Sequence, residues 1–141
     1  MPDPEKVAIV ASEWVAKAEN DLKTAAHTLK LGKDCPTDTV CFHAQQVVEK
    51  YLKALLTVQG NPFPKTHNVG ELMAQLPARV RPRLSEDQQD VLTDYATGAR
   101  YPGWGPIPLA EARRAVAMAR RVRADARRIL PKEALTRRRQ G

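Results

Sequence analysis

Residues 37–59 are the stretch that most limits what this chain can become. Val40, Cys41, Ala44, Val47, Val48, Tyr51, Ala54, Leu55 and Val58 recur at helical spacing, and Leu52 and Leu56 widen the arc they cover. A helix this apolar must be packed on two sides, so it is predicted to be central. What remains polar is one strip: His43, Gln46, Lys50, Lys53 and Thr57. At about 100° per residue, these five fall within roughly 80° of one another. The sequence thus predicts a mostly buried rod with one narrow, basic, hydrogen-bonding edge.

The flanking segments read as helices of ordinary amphipathicity. Over residues 4–31, Val7, Val10, Trp14, Ala18, Leu22, Ala25 and Leu29 step by threes and fours, and Gly32 stands where a C-terminal cap is expected. Thr37 or Asp38 is the expected cap of the central helix. A short third helix follows Thr66, opened by Asn68-Val69-Gly70-Glu71 and bounded near Leu76 by Pro77. Ser85-Glu86-Asp87-Gln88 is a capping box and opens a fourth helix carrying Val91, Leu92, Tyr95 and Ala96. The last helix spans residues 109–130 and stops at Pro131. Gly and Pro break the pattern at residues 60–65 and 98–108, which are loops. With no strand signal and no repeat, the expected fold is all-α, a four- to five-helix antiparallel up-and-down bundle. The bundle is assigned residues 1–131, and residues 132–141 are read as a basic flexible tail.

A chain of 141 residues, 43% hydrophobic and 28% charged, suits one domain with a full core. No apolar run approaches the roughly 20 residues of a membrane span, and residues 1–5 lack the shape of a signal peptide. A soluble, cytoplasmic protein without membrane association is the expectation. Cys35 and Cys41 then read as free thiols. Charge is unevenly placed. Residues 1–108 hold 12 Lys and Arg against 13 Asp and Glu, whereas residues 109–141 hold 11 against 3. The basic quarter is either a solvated helix face with a solubilising tail or a footprint for phosphate-bearing partners.

Standard catalytic signatures are missing from the sequence. His27, His43 and His67 have no metal-ligand spacing, so no metal and no cofactor are expected. Ser12 and Ser85 are the only serines, and neither lies in a Gly-x-Ser-x-Gly elbow. There is no Walker loop and no GxGxxG.

The run from Cys41 to Leu56, Cys41-Phe42-His43-Ala44-Gln45-Gln46-Val47-Val48-Glu49-Lys50-Tyr51-Leu52-Lys53-Ala54-Leu55-Leu56, resembles the signature helix of the HEPN family, small helical domains proposed to bind nucleotides. Trp14, Ala18, Asp21 and Leu22 resemble that family's first helix. Lys65-Thr66-His67 followed by Leu72 resembles its "TH" turn, and Tyr95 with Arg100-Tyr101-Pro102 its "RYP" turn. The resemblance implies a helical bundle that forms a homodimer. It also implies a partnership with a minimal nucleotidyltransferase, often as a toxin–antitoxin pair. Many HEPN proteins are metal-independent RNases whose motif is an Arg followed, four to six residues later, by a His. This sequence cannot hold that motif, because its last His, His67, precedes its first Arg, Arg79.

The expected function is therefore a non-catalytic HEPN-type domain that binds a nucleotide or a phosphate and pairs with a nucleotidyltransferase. The alternatives are a metal-independent RNase toxin with an atypical site, such as His43 or His67 with Arg100, and a structural helical adaptor. The candidate ligand-binding residues are His43, Gln46, Lys50, Lys53, His67, Arg100 and Tyr101, and no catalytic residue is assigned. Imidazole, amide and ammonium groups suit a phosphate or a base edge; Arg clamps phosphate, and Tyr stacks on bases. Each residue also has a structural reading. His43 and Gln46 would be satisfied core or interface groups, Lys50 and Lys53 surface lysines, and His67 a turn brace. Arg100 would be a strut to Asp21, Glu49 or Asp94. Trp104 is either a lid or an interface anchor.

Overall fold

The computed structural model describes residues 3–136, apart from the side chain of Arg100. Among them, six α-helices follow one another with no strand: α1 (Pro4–Leu29), α2 (Thr37–Val58), α3 (Val69–Gln75), α4 (Glu86–Ala96), α5 (Leu109–Ile129) and α6 (Lys132–Leu135). Short 3-10 turns occupy Gly32–Asp34, Ala78–Val80 and Gly98–Arg100. The all-α bundle expected from periodicity is the fold observed.

α2 is the axis of the bundle. Its apolar side chains from Val40 to Leu56, Phe42 excepted, are buried, and it packs against α1, α5 and α4. α1 and α2 run antiparallel: Trp14 lies beside Lys53, while Asp21 reaches His43 and Lys50. α4 and α5 are also antiparallel, with Tyr95 bonded to Glu111 and Gln88 to Arg121. α5 then runs in the same direction as α2, since Thr37 meets Ile107 at one end and Tyr51 meets Arg127 further along.

Helix ends follow local chemistry. Both bonds of the Ser85–Gln88 capping box form, and the Asn68 side chain accepts the Glu71 amide, as the sequence predicts. The expected cap of α2 needs correction. The N-cap is Pro36, and the Thr37 hydroxyl instead donates to the Ile107 carbonyl at 2.7 Å, tying the start of α2 to the loop before α5. α1 ends at Leu29, two residues before the expected stop, because Leu31 and Gly32 pass into a 3-10 turn.

The segment read as a flexible tail is partly built. Lys132–Leu135 forms a helical turn on α1 with Ala134 buried, and residues 137–141 lie outside the described residues. Pro131 stops α5 and redirects the chain so that Ala134 can cover the bundle end.

Three polar ties cross the core. The Glu19 carboxylate of α1 accepts both Arg123 nitrogens of α5, at 2.8 Å each, and the buried Tyr51 hydroxyl of α2 at 2.8 Å. Burial pushes the Glu19 carboxyl up, but the Arg123 and Tyr51 hydrogen bonds and the charges of Arg123 and Arg127 leave it below its ordinary value. Burial also raises the Tyr51 hydroxyl to about 12. Asp125 holds Arg83 through both side-chain nitrogens and the backbone amide, pinning the connector before α4 onto α5.

Because Leu55 sits at 0% exposure in the middle of α2, Leu55→Ala should cost about 2–5 kcal/mol in urea unfolding. Leu31→Ala, at a 59% exposed position, should change stability by less than about 0.5 kcal/mol in the same measurement.

Candidate functional site

The polar edge of α2 exists, but it is not a row of free cations. Two carboxylates organise it. Asp21, one α1 turn past Ala18, accepts the His43 Nδ1 proton at 2.8 Å and the Lys50 ammonium. Glu49, on α2 itself, takes Lys53 Nζ at 2.9 Å, His67 Nδ1 at 2.9 Å and Gln45 Nε2 at 3.0 Å. Gln46 Nε2 approaches it at 3.4 Å and donates to Gln45 Oε1 at 2.6 Å. Each lysine of the strip is thus paired with a carboxylate.

Glu49 is only 3% exposed, and a lone carboxylate there would be strongly disfavoured. Burial does push its carboxyl up. The donors from Gln45, Lys53 and His67 outweigh that, and it stays ionised below the ordinary carboxylate range. An ionised carboxylate only accepts, so the His67 proton shared with it sits on Nδ1. The contact with Glu49 fixes the orientation of the ring. The His67 side chain is 64% exposed. Asp21 holds His43 the same way on a ring that is 25% exposed.

The lysines differ in their surroundings. Lys53 is buried, with its ammonium 5.3 Å from the centre of the Trp14 ring, which stands edge-on to Phe63. Lys50 is partly open to water at the α1–α2 seam. Thr57 turns its hydroxyl back onto the Lys53 carbonyl at 2.8 Å and adds no donor to the edge.

The structure groups the candidate residues in two places. His43, Gln46, Lys50, Lys53 and His67 share the edge of α2. Tyr101 stands elsewhere, 68% exposed, in a shallow cavity of about 350 Å³ over the start of α2, with Thr37, Asp38 and Trp104. Its loop turns at Gly103 and Gly105, both at positive φ (96° and 92°), where other residues would be strained. The Trp104 ring lies on Gly98, where a Cβ would come within 3.0 Å of it. The Arg100 side chain, and with it the expected struts to Asp21, Glu49 or Asp94, lies outside the described residues.

Sequence reading missed Glu49, Gln45 and the organising role of Asp21. Gln45, Glu49 and Lys53 step by four along α2, a spacing that marks neighbours on a helix and flags the Glu49 node. Asp21 carried no such signal, because it meets His43 across 22 residues of chain. Among the described residues, no group of three or more His, Cys, Asp and Glu is placed to hold a metal ion, and no helix is long and apolar enough to cross a membrane.

The arrangement is that of a helical bundle whose one wet edge carries carboxylate-oriented imidazoles. The family model of the HEPN domain matches residues 11–129, and the chain belongs to the HEPN domain family. That makes it a helical domain of a nucleotide- and RNA-related family. No curated protein and no solved structure gave a match to the chain.

Glu49→Ala would leave four donors around an empty buried space and should cost about 3–5 kcal/mol by denaturant unfolding. The pH dependence has a fixed sign. A carboxyl lowered by folding stabilises fully above its unfolded value and loses that contribution as pH falls through the lowered one. Stability should therefore decline below about pH 4.3, and Glu49→Gln should flatten that decline in unfolding curves measured from pH 7 to pH 3.

Proposed function

We propose that this HEPN domain is a non-catalytic binder of a nucleotide or a phosphate group, working beside a minimal nucleotidyltransferase in a toxin–antitoxin-like module. The observation that carries the reading is the exposed His67 ring with its Nδ1 on Glu49. It offers a fixed imidazole nitrogen at the protein surface, with Lys53 on the same carboxylate. Glu49 holds that ring in one orientation towards an approaching polar group. His43 on Asp21 repeats the arrangement further along α2, beside Lys50. Gln46 and Lys53 are the supporting donors of the edge. Arg100 and Tyr101 belong to the reading through their loop, where the exposed Tyr101 ring can stack on a base.

The order of His and Arg in the sequence supports the non-catalytic half. No His follows any Arg, so the family's Arg-x4–6-His RNase motif cannot form within the chain. The partner and the homodimer enter the reading as what the family resemblance implies.

Calorimetric titration with ATP and GTP at low salt should show binding that His67→Ala weakens about tenfold, the loss of one charge-assisted hydrogen bond. No heat with either nucleotide would make the domain a structural adaptor. RNA incubated with the purified protein in chelator should stay intact. Cleavage abolished by His43→Ala or His67→Ala would replace the binding reading with an RNase of unorthodox site.

A further inference from the structure

The cavity of about 350 Å³ over the start of α2 holds a set of groups that the α2 edge does not explain. Two exposed aromatic side chains, Tyr101 and Trp104, line it. Large rings left exposed together in a concave place mark a binding surface rather than a solvated one. The loop that carries them is anchored. It turns at Gly103 and Gly105 on positive φ, and the Trp104 ring packs against Gly98. At its far end the Ile107 carbonyl accepts the Thr37 hydroxyl at 2.7 Å, which ties the loop to α2.

The charge in this cavity is as informative as the rings. Asp38 lines it and is exposed, and among the described residues no Lys or Arg does so. The Asp38 Oδ1 accepts the Thr39 amide at 2.9 Å, which steadies the carboxylate. Among the described residues, Asp38 has no cation paired with it. The cavity therefore joins stacking surfaces to an acceptor whose lone pairs are not spent on a counter-charge.

A ligand that suits this lining is flat, apolar on its faces and rich in N–H donors along one edge. The rings do not discriminate, since every base has a face to stack. The carboxylate does, because an ionised carboxylate only accepts. Guanine presents two adjacent donors, N1–H and the N2 amine, which one carboxylate takes together. Adenine and cytosine place a ring-nitrogen acceptor beside their amine. Uracil flanks its one N–H with two carbonyl oxygens. Each of these three turns lone pairs towards the carboxylate. A small organic cation would also suit rings and a carboxylate, but a chain of net charge +7 repels it and draws a nucleotide anion instead.

We propose that the Tyr101–Asp38 cavity selects guanine nucleotides. The base stacks on Tyr101, and its Watson–Crick edge donates N1–H and N2–H to the Asp38 carboxylate. Sugar and phosphates leave from the other side of the base, so the pocket itself needs no cation. The inference rests on the nucleotide-binding reading above and names the base that the Tyr101 loop takes.

Titration calorimetry of the full chain with GTP, ITP and ATP in one low-salt buffer tests it. GTP should bind at least about tenfold more tightly than ATP, the loss expected when a paired acceptor meets a lone pair. ITP, which lacks the N2 amine, should fall between them. Asp38→Asn keeps an oxygen for the Thr39 amide, so the start of α2 should hold, and circular dichroism checks this. It exchanges one acceptor for a donor, and the GTP-to-ATP affinity ratio should fall to near one. The ratio is the readout because removing a negative charge strengthens every nucleotide anion alike. Tyr101→Ala should weaken GTP and ATP by a similar factor, about tenfold, and leave their ratio in place. Equal affinities for GTP and ATP in the wild-type chain overturn base selection, as does a GTP preference that survives Asp38→Asn. Both results leave nucleotide binding itself standing. Absence of binding by all three nucleotides removes the binding reading and this inference with it.

Discussion

Glu49 is the residue on which the polar architecture turns. α2 is enclosed on nearly all sides, and its helical geometry still leaves a carboxylate at 3% exposure. Such a group is tolerated only when several donors reach it. Gln45, Gln46, Lys53 and His67 supply them from the same helix and from the loop before α3. The loop's position follows from this demand. His67 binds the carboxylate through its ring, and its backbone carbonyl also accepts Gln45 at 3.1 Å. One buried charge thus fixes a ring orientation, a loop and the polar edge of the central helix.

The same constraint explains why a basic strip became a paired one. Lys53 is too enclosed to keep its hydration, so it needs a counter-charge and takes Glu49 together with the Trp14 face. Lys50 and His43 lie at the seam where α1 passes, and Asp21 is the group that α1 presents there. Pairing does not empty the edge of chemistry. It balances the fixed positive charge and leaves oriented imidazoles.

The sequence carried the architecture well where the signal was local. α2 as the axis, the capping box at Ser85, the Asn68 cap and the stop at Pro131 each rest on residues within one or two turns of one another. The strip was also legible as a face, because five residues at helical spacing define a direction whatever surrounds them. Its electrostatics were not legible, because Asp21 reaches it from another helix and periodicity is silent on partners. Thr37 failed as a cap for the same reason. Its hydroxyl had a better acceptor in Ile107, 70 residues away, than in the first turn of α2. Ala134 shows the complementary failure: one small apolar residue in a charged segment is enough to seat a helical turn when α1 offers it a surface.

Charge on α5 divides by depth in a way that composition could not show. Arg123 and Arg127 face the bundle and are spent on Glu19, tying α5 to α1, while Asp125 of α5 takes Arg83 from the connector before α4. Of those facing out, Arg128 reaches Asp125 at 3.6 Å, and among the described residues none pairs with the four acids of α4. Antiparallel packing holds the walls of a groove apart, and Gln88 bridges the end where they approach. Two helices that could neutralise each other within one chain are thereby kept unneutralised.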